Sequence, residues 1–354
     1  VVSVLWVILG YSLAFSEGNE WIGGFSNIFM SAIGVDTPSG SIPESLFATF
    51  QMTFAIITPA LMIGAFVERI KFSAMLIFLS MWLLIVYVPV THWVWGGGIL
   101  SSWGTMDFAG GIVVHATAGT AALVTALTLG KRRGVPKSIT PPHSPILTMI
   151  GASMLWIGWF GFNAGSALGA NGGAGMAMLV THISAATASL VWMFIEWKRF
   201  GKPSLIGIVT GMVAGLATVT PASGYIGVPG GLILGFFGGL LCYLAVDFIR
   251  GKLQIDDSLD VFAVHGVGGI LGTLLVAFLA TSTFSGLGLA EGQTAVTQFF
   301  VQLKAVILTV VWTSVFTYLI LKITSFIVPL RVEEQEEIEG LDLRSHGEKG
   351  YHSD

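Results

Sequence analysis

Apolar residues run almost unbroken through most of this chain, and short polar stretches divide them into blocks of similar length. The blocks cover residues 45 to 67, 72 to 91, 108 to 130, 145 to 165, 173 to 197, 204 to 222, 226 to 249, 261 to 280 and 295 to 328. Each is near or above the ~20 residues that a helix needs to cross a ~30 Å hydrocarbon core. The pattern predicts nine complete transmembrane helices in an all-α polytopic membrane protein. The chain opens on VVSVLWVILGYSLAF, which is short for a span, has no initiating methionine and lacks the basic flank of a secretory signal. It reads as the second part of a helix whose start is missing. Residues 1–330 are expected to form a transmembrane domain and residues 331–354 a charged tail.

Composition agrees with this pattern. Hydrophobic residues make up 54% of the 354 and charged residues 10%, against roughly 25% charged in soluble domains. The single cysteine, Cys242, excludes an internal disulfide framework, and no paired metal-ligand cysteines occur. No cofactor, metal or nucleic-acid partner is expected.

Charge is informative through its placement. Arg69 and Lys71, then Lys131, Arg132, Arg133 and Lys137, then Lys198, Arg199 and Lys202, then Arg250 and Lys252 fall in every second connection, while the alternate connections carry no Lys or Arg. The positive-inside rule makes the first set cytoplasmic, and with it the tail from Arg331 onward. A multi-pass protein of the cytoplasmic membrane follows. Lys304 is the exception, lying about ten residues into the last block, and no sequence pattern accounts for it.

Two histidines sit inside runs too apolar to face water: His115 in GGIVVHATAG and His265 in VFAVHGVGGI. They share the pattern Val-His-x-x-x-Gly (Val114, His115, Gly119; Val264, His265, Gly269), and an acid precedes each helix, Asp107 or Asp260. Four helices lie between them, so the two histidine helices run in opposite directions. A period of five helices inverts topology and predicts halves related by an in-plane pseudo-two-fold axis. The first half then lacks a helix and a half, which points to an eleven-helix fold without its first helix and the start of its second. At ~1.5 Å per residue, His115 lies ~12 Å below the outer end of its helix and His265 ~8 Å above the inner end of its own. Both fall near mid-membrane.

A buried histidine hydrogen-bonded to a neighbouring helix is the plainer reading, but intramembrane ionisable groups are costly and usually mark function, and the repetition strengthens that reading. For Asp107 and Asp260 helix capping is a strong alternative. Glycine is abundant, at 46 residues. The spacings Gly211 to Gly215, Gly231 to Gly235 to Gly239 and Gly268 to Gly272 fit small-xxx-small helix packing, a feature of fold rather than chemistry.

Aromatic residues complete the picture. Phe50 and Phe54 are four apart in FATFQMTFA and share a helix face; WIGWFGFNAGSALG supplies Trp159, Phe162 and Ser166, and THWVWGGG places Trp95 at an external mouth. Aromatic faces attract small cations by ~0.5 to 2 kcal/mol. Core packing or interfacial anchoring is the alternative for each one.

FQMTFA, AFVERIKFSA, HWVWGGG, DFAGGIVVH, WIGWFGFNAGSA, GKPSLIG, TPASGYI, DVFAVHGVGGI, AEG and EGLDLRSHGE together resemble bacterial ammonium transporters of the Amt family, and the likeness runs nearly end to end. The resemblance implies that Trp95, Phe50 and Ser166 form an external recruitment site for ammonium, with Asp107 the buried acid beside it. It implies that Phe54 and Phe162 are the stacked pair closing the pore, and that His115 and His265 are the twin histidines lining an apolar lumen. It further implies a homotrimer with one conduit per subunit, a PII-type signalling protein as cytoplasmic partner, and electrogenic transport. Trp95 separates the chain from the related Rhesus proteins, which generally lack that tryptophan.

The chemistry asks for such residues. Ammonium and potassium are nearly equal in size, so radius alone cannot separate them; ammonium alone can shed a proton and cross an apolar lumen as a neutral molecule. A bare cation at mid-membrane costs from ~2.5 to more than 10 kcal/mol. A neutral imidazole donates at one nitrogen and accepts at the other, offering ammonia or water a partner without fixed charge. Two readings from other classes compete. An ammonium sensor would signal through a fused domain, whereas here only a short polar tail follows the last span; an intramembrane metalloenzyme would need a third ligand and an activating carboxylate beside the histidines, and neither motif supplies them. The acidic tail VEEQEEIEGLDLRSHGEKGYHSD reads by composition as a solvated end and by resemblance as a regulatory docking element.

Overall fold

A computed structural model describes residues 1–137 and 141–351. Ten apolar helices account for most of the chain: α1 (Val2–Phe15), α2 (Glu44–Ile63), α3 (Phe72–Ser102), α4 (Gly111–Leu129), α5 (Pro145–Gly165), α6 (Gly172–Phe200), α7 (Leu205–Val219), α8 (Val228–Lys252), α9 (Phe262–Leu279) and α10 (Ala295–Ile327). Their order follows the apolar blocks, with the short helix α11 (Glu334–Glu339) in the tail. Among the described residues the remaining regular structure is slight. It includes a two-residue antiparallel pairing of Pro38–Ser39 with Ile42–Pro43, just before α2.

Several boundaries differ from expectation by a few residues, α2 ending at Ile63 rather than 67 and α6 running on to Phe200, and two differences carry a physical reason. Eight of the nine predicted spans are long enough to cross a membrane, while α7 has 15 residues, about 22 Å at the helical rise. Pro221 is the reason. It disfavours helix at the residue before it, the chain turns after Thr220, and the freed Pro221 carbonyl accepts from the Phe108 N–H at 3.0 Å. The span predicted over 72–91 instead extends through Trp95 to a last turn at Ile99–Ser102.

Glycines set the closeness of packing, as the small-residue spacings predict. Gly215 of α7 and Gly235 of α8 both lie against the Ser184 carbonyl of α6, 2.6 Å from where a Gly235 Cβ would stand. The Ser184 hydroxyl donates to the Gly215 carbonyl at 2.8 Å. Another close crossing joins α4 to α9. A Cβ on Gly119 would strike the backbone of Gly266, and one on Gly269 would strike His115 and the Gly111 carbonyl. The two glycines of the Val-His-x-x-x-Gly repeat thus receive, reciprocally, the backbone beside the other repeat's histidine.

The basic connections gather at one end of the bundle. Arg69, with no exposed surface, lies 3.8 Å from Asp256, whose carboxylate also pairs with Arg132 at 2.9 Å. Burial tends to raise the Asp256 carboxyl, but hydrogen bonds and charge from Arg132 prevail and hold it below the usual carboxylate range. The tail packs onto this cluster: the Val332 N–H donates to the Arg69 carbonyl at 3.0 Å, Arg331 pairs with Glu337 at 2.7 Å, and Arg133 pairs with Glu334 at 3.2 Å. Most side chains of the tail through Tyr351 are exposed, as its composition suggests, while it also folds back onto the bundle, where Phe72 meets His346 edge-on at 4.9 Å. Residues 138–140 and 352–354 fall outside the described set.

Candidate functional site

The site begins where α4 begins. Both oxygens of Asp107 are occupied by backbone donors: Oδ1 accepts from Gly110 and Gly111 at 2.9 and 2.6 Å, and Oδ2 from Ile112 and Val113 at 2.8 and 3.1 Å. One buried side chain therefore satisfies all four leading N–H groups of the helix. Gly110 permits this because its φ of 110° is open to glycine and strained for other residues. The first turn is then wide, the His115 N–H reaching back to the Gly110 carbonyl at 3.0 Å, and π-helical geometry spans Gly111–Ala116. The second repeat does the same over Phe262–Gly266. Wide turns of this kind often mark functional sites.

The acid that caps this second turn is Asp257, which accepts from the Phe262 N–H at 2.7 Å. Asp260, the acid singled out in the sequence, instead pairs with Arg250 at 2.6 Å. Burial pushes the Asp260 carboxyl up to about 7 against the pull of Arg250. Asp257 stands at the same distance before His265 as Asp107 before His115, so the true repeat is Asp-x7-His-x3-Gly.

Above His115 an outer cavity of about 280 Å³ is lined by Phe50, Trp95 and Ser166, with Phe54 at its edge. The Trp95 indole N–H donates to the Asp107 carbonyl at 2.9 Å, which fixes the ring. The Ser166 hydroxyl donates to the Phe162 carbonyl at 2.9 Å, leaving its oxygen free to accept from a ligand. Phe50 meets Phe54 perpendicularly at 4.9 Å, and Phe54 meets Trp95 at 5.4 Å. Asp107 does not line the cavity; its carboxylate is spent on the helix and it touches the site through Trp95. Phe47, Gln51 and Phe108 also face the cavity and were not anticipated. Phe47 shares the helical spacing of Phe50 and Phe54, a signal present in the sequence, whereas Phe108 arrives from a connection whose path no periodicity discloses.

Below the cavity Phe54, 1% exposed, packs on Phe162 with ring centroids 4.5 Å apart. No open passage separates these rings in this conformation. Beneath them His115 stacks on Trp159 at 5.4 Å and lies parallel to Phe162 at 6.0 Å. The Trp159 indole N–H donates to Thr220 Oγ1 at 2.9 Å, a buried anchor that holds the tryptophan against the histidine. The sequence names Trp159 beside Phe162 among the aromatics without a role in the pore, and its stacking on His115 supplies one.

The histidines meet. Their Nδ1 atoms are 3.3 Å apart and their ring centroids 5.2 Å, with planes 25° apart. One Nδ1–H donates and the other Nδ1 accepts, so at least one ring is neutral. His115 Nε2 is buried without a hydrogen-bond partner among the described residues, which leaves it for a small polar molecule. Among the described residues no cluster of three His, Cys, Asp or Glu side chains that could hold a metal is found.

Comparison with known proteins agrees with these features. The profile of the Ammonium Transporter Family matches residues 1–351. An ammonium transporter of Bacillus subtilis is 43% identical over 99% of this chain and 87% of its own length, and a putative ammonium transporter of Methanothermobacter thermautotrophicus is 46% identical over the same shares. Among solved structures, one described as a Sensor Amt Protein superposes with a TM-score of 0.90 at 29% identity, covering 98% of this chain and 87% of its own. Candida albicans Mep2 superposes with a TM-score of 0.87 at 35% identity, covering 95% and 77%. With a capped histidine helix in each half, stacked aromatic rings above the paired imidazoles and this likeness along nearly its whole length, the chain belongs to the ammonium transporter family of multi-pass membrane proteins, which are transporters and not enzymes.

Proposed function

We propose that this chain takes up ammonium across the cytoplasmic membrane, drawing it in as a cation and passing it along the histidine pair as ammonia. The observation that carries this reading is the stacked order of outer cavity, closed phenylalanine pair and paired imidazoles. In the cavity the faces of Trp95 and Phe50 attract the cation and the Ser166 oxygen accepts one of its N–H groups. Asp107 acts at second hand, fixing the Trp95 ring and the start of α4. Phe54 and Phe162 swing apart to admit the substrate. Beneath them the walls are aromatic rings and imidazoles, where an unpaired cation is expensive, and deprotonation removes that cost. The released proton follows by a separate hydrogen-bonded route, in which the histidine pair takes part, so transport carries current. A sensor shares this fold, which makes conduction itself the property to measure.

Trp95→Leu removes the largest aromatic face from the cavity while leaving Asp107 with its four backbone donors. We expect the half-saturating ammonium concentration in a methylammonium-competition uptake assay to rise about two- to thirtyfold, the range set by one cation–aromatic contact, with the protein recovered at normal levels. An unchanged half-saturation would remove Trp95 from recruitment.

Residues 1–330 act as the transporting domain, assembled as a homotrimer with one conduit in each subunit, and residues 331–354 as a cytoplasmic tail that binds a PII-type protein. Deleting residues 331–354 is expected to reduce retention of a PII-type protein in a pull-down at least about tenfold, the loss of on the order of 1.4 kcal/mol of binding, while substrate selectivity persists. Equal retention would contradict the tail's role.

A further inference from the structure

Lys304 is the one basic residue that the charge pattern leaves unexplained. It stands on α10, nine residues from the start of that helix, about 14 Å along its axis. Its side chain is exposed, within a stripe of outward residues: Phe300 at 61%, Ile307 at 54% and Val311 at 55% exposure. Such a stripe faces acyl chains in a membrane-spanning helix.

The opposite face of the same turns explains the neighbourhood. Gln298 donates to the Gly104 carbonyl at 3.0 Å and Gln302 to the Met106 carbonyl at 2.7 Å. These bonds tie the connection after α3 to α10 and place Trp103 beside the lysine, whose Nζ lies 3.4 Å from the centre of the indole. The aromatic face covers one side of the ammonium group. Among the described residues Lys304 makes no ion pair and no hydrogen bond, so its N–H donors have no oxygen partner there. Lysine side chains near helix ends reach toward the headgroup layer, and tryptophan is at home at that depth.

We propose that Lys304 and Trp103 form a binding site for the phosphate headgroup of an anionic phospholipid, in the leaflet that meets the start of α10. That leaflet is the external one in the orientation given by the positive-inside pattern. The lysine supplies charge and donors, the indole fixes the ammonium, and Ile307 and Val311, farther along α10, receive the acyl chains. The site lies on the lipid-facing surface, away from the conduit, and stands independently of the transport reading.

The test is native mass spectrometry of the purified full-length protein titrated with phosphatidylglycerol or phosphatidylcholine. The wild-type protein is expected to retain phosphatidylglycerol in preference. Lys304→Met should weaken that retention about fivefold, the effect of one basic side chain near an anionic surface, without changing phosphatidylcholine retention, and Lys304→Arg should keep most of it. Methylammonium uptake by Lys304→Met shows that the variant is folded. Equal phosphatidylglycerol retention by wild type and Lys304→Met would overturn the proposal. So would a change in the mass of the assembly in Lys304→Met, which would make this face a contact between copies of the chain, or displacement of the lipid by excess inorganic phosphate.

Discussion

Asp107→Ala will cost this protein more stability than any other single change of one side chain at the site. The substitution strips four buried N–H groups at the start of α4 of their acceptors. An unsatisfied buried donor costs about 1 to 3 kcal/mol, and even with partial relaxation the loss reaches several kcal/mol. It also frees the strand of backbone whose carbonyl holds Trp95 and loosens the wide turn that carries His115. We expect a thermal melt followed by size exclusion to fall by at least about 5 °C, since 1 kcal/mol moves a large domain by roughly 2 to 4 °C. Asp107→Asn keeps two acceptor lone pairs and should fall between. Asp257→Ala, which removes a bond to Phe262, should cost less, and Asp260→Asn, which weakens a partly exposed pair with Arg250, should cost least. A melt of Asp107→Ala equal to wild type would show that the cap does not hold the helix.

The second large effect concerns transport and leaves the fold intact. His115→Ala and His265→Ala each delete half of the imidazole pair and its 3.3 Å hydrogen bond. Ammonia passing along the pair loses one of the two Nε2 partners the pair offers, a donor on one ring and an acceptor on the other, and the remaining ring loses its own partner. A buried hydrogen bond left unmade costs about 1 to 3 kcal/mol, so methylammonium uptake should drop by tenfold or more, or its selectivity over other cations should change. The protein should still reach the membrane, because a space left between α4 and α9 does not touch the reciprocal contacts of Gly119 and Gly269 that join them. Wild-type rate and selectivity in both variants would refute the role given to the pair.

Periodicity and charge spacing made most of this fold legible. Long apolar blocks can do little in a membrane but form helices, because the backbone has no other partner there. The repeated Val-His-x-x-x-Gly picks out the two helices whose histidines pair, and its glycines form the close contact between those helices. What stayed hidden depended on other parts of the chain. The span at 204 to 222 was read too long because Thr220 and Pro221 are as unobtrusive to hydropathy as the residues before them, and the turn they make is fastened by Phe108. Asp260 drew attention through nearness to His265; the matching spacing of Asp107 and Asp257 was visible and is the better guide, since capping depends on position along a turn. Trp159 enters the site by stacking on His115, an orientation that spacing within α5 does not reveal. Lys304 looked anomalous because its partner, Trp103, comes from another connection.

The central claim is that only a substrate able to give up a proton passes the paired imidazoles. Its most direct test is the current carried by the wild-type protein in liposomes under equal inward gradients of ammonium and of potassium. The account predicts a clear current with ammonium and none above that of protein-free liposomes with potassium. A potassium current comparable to the ammonium current would contradict it.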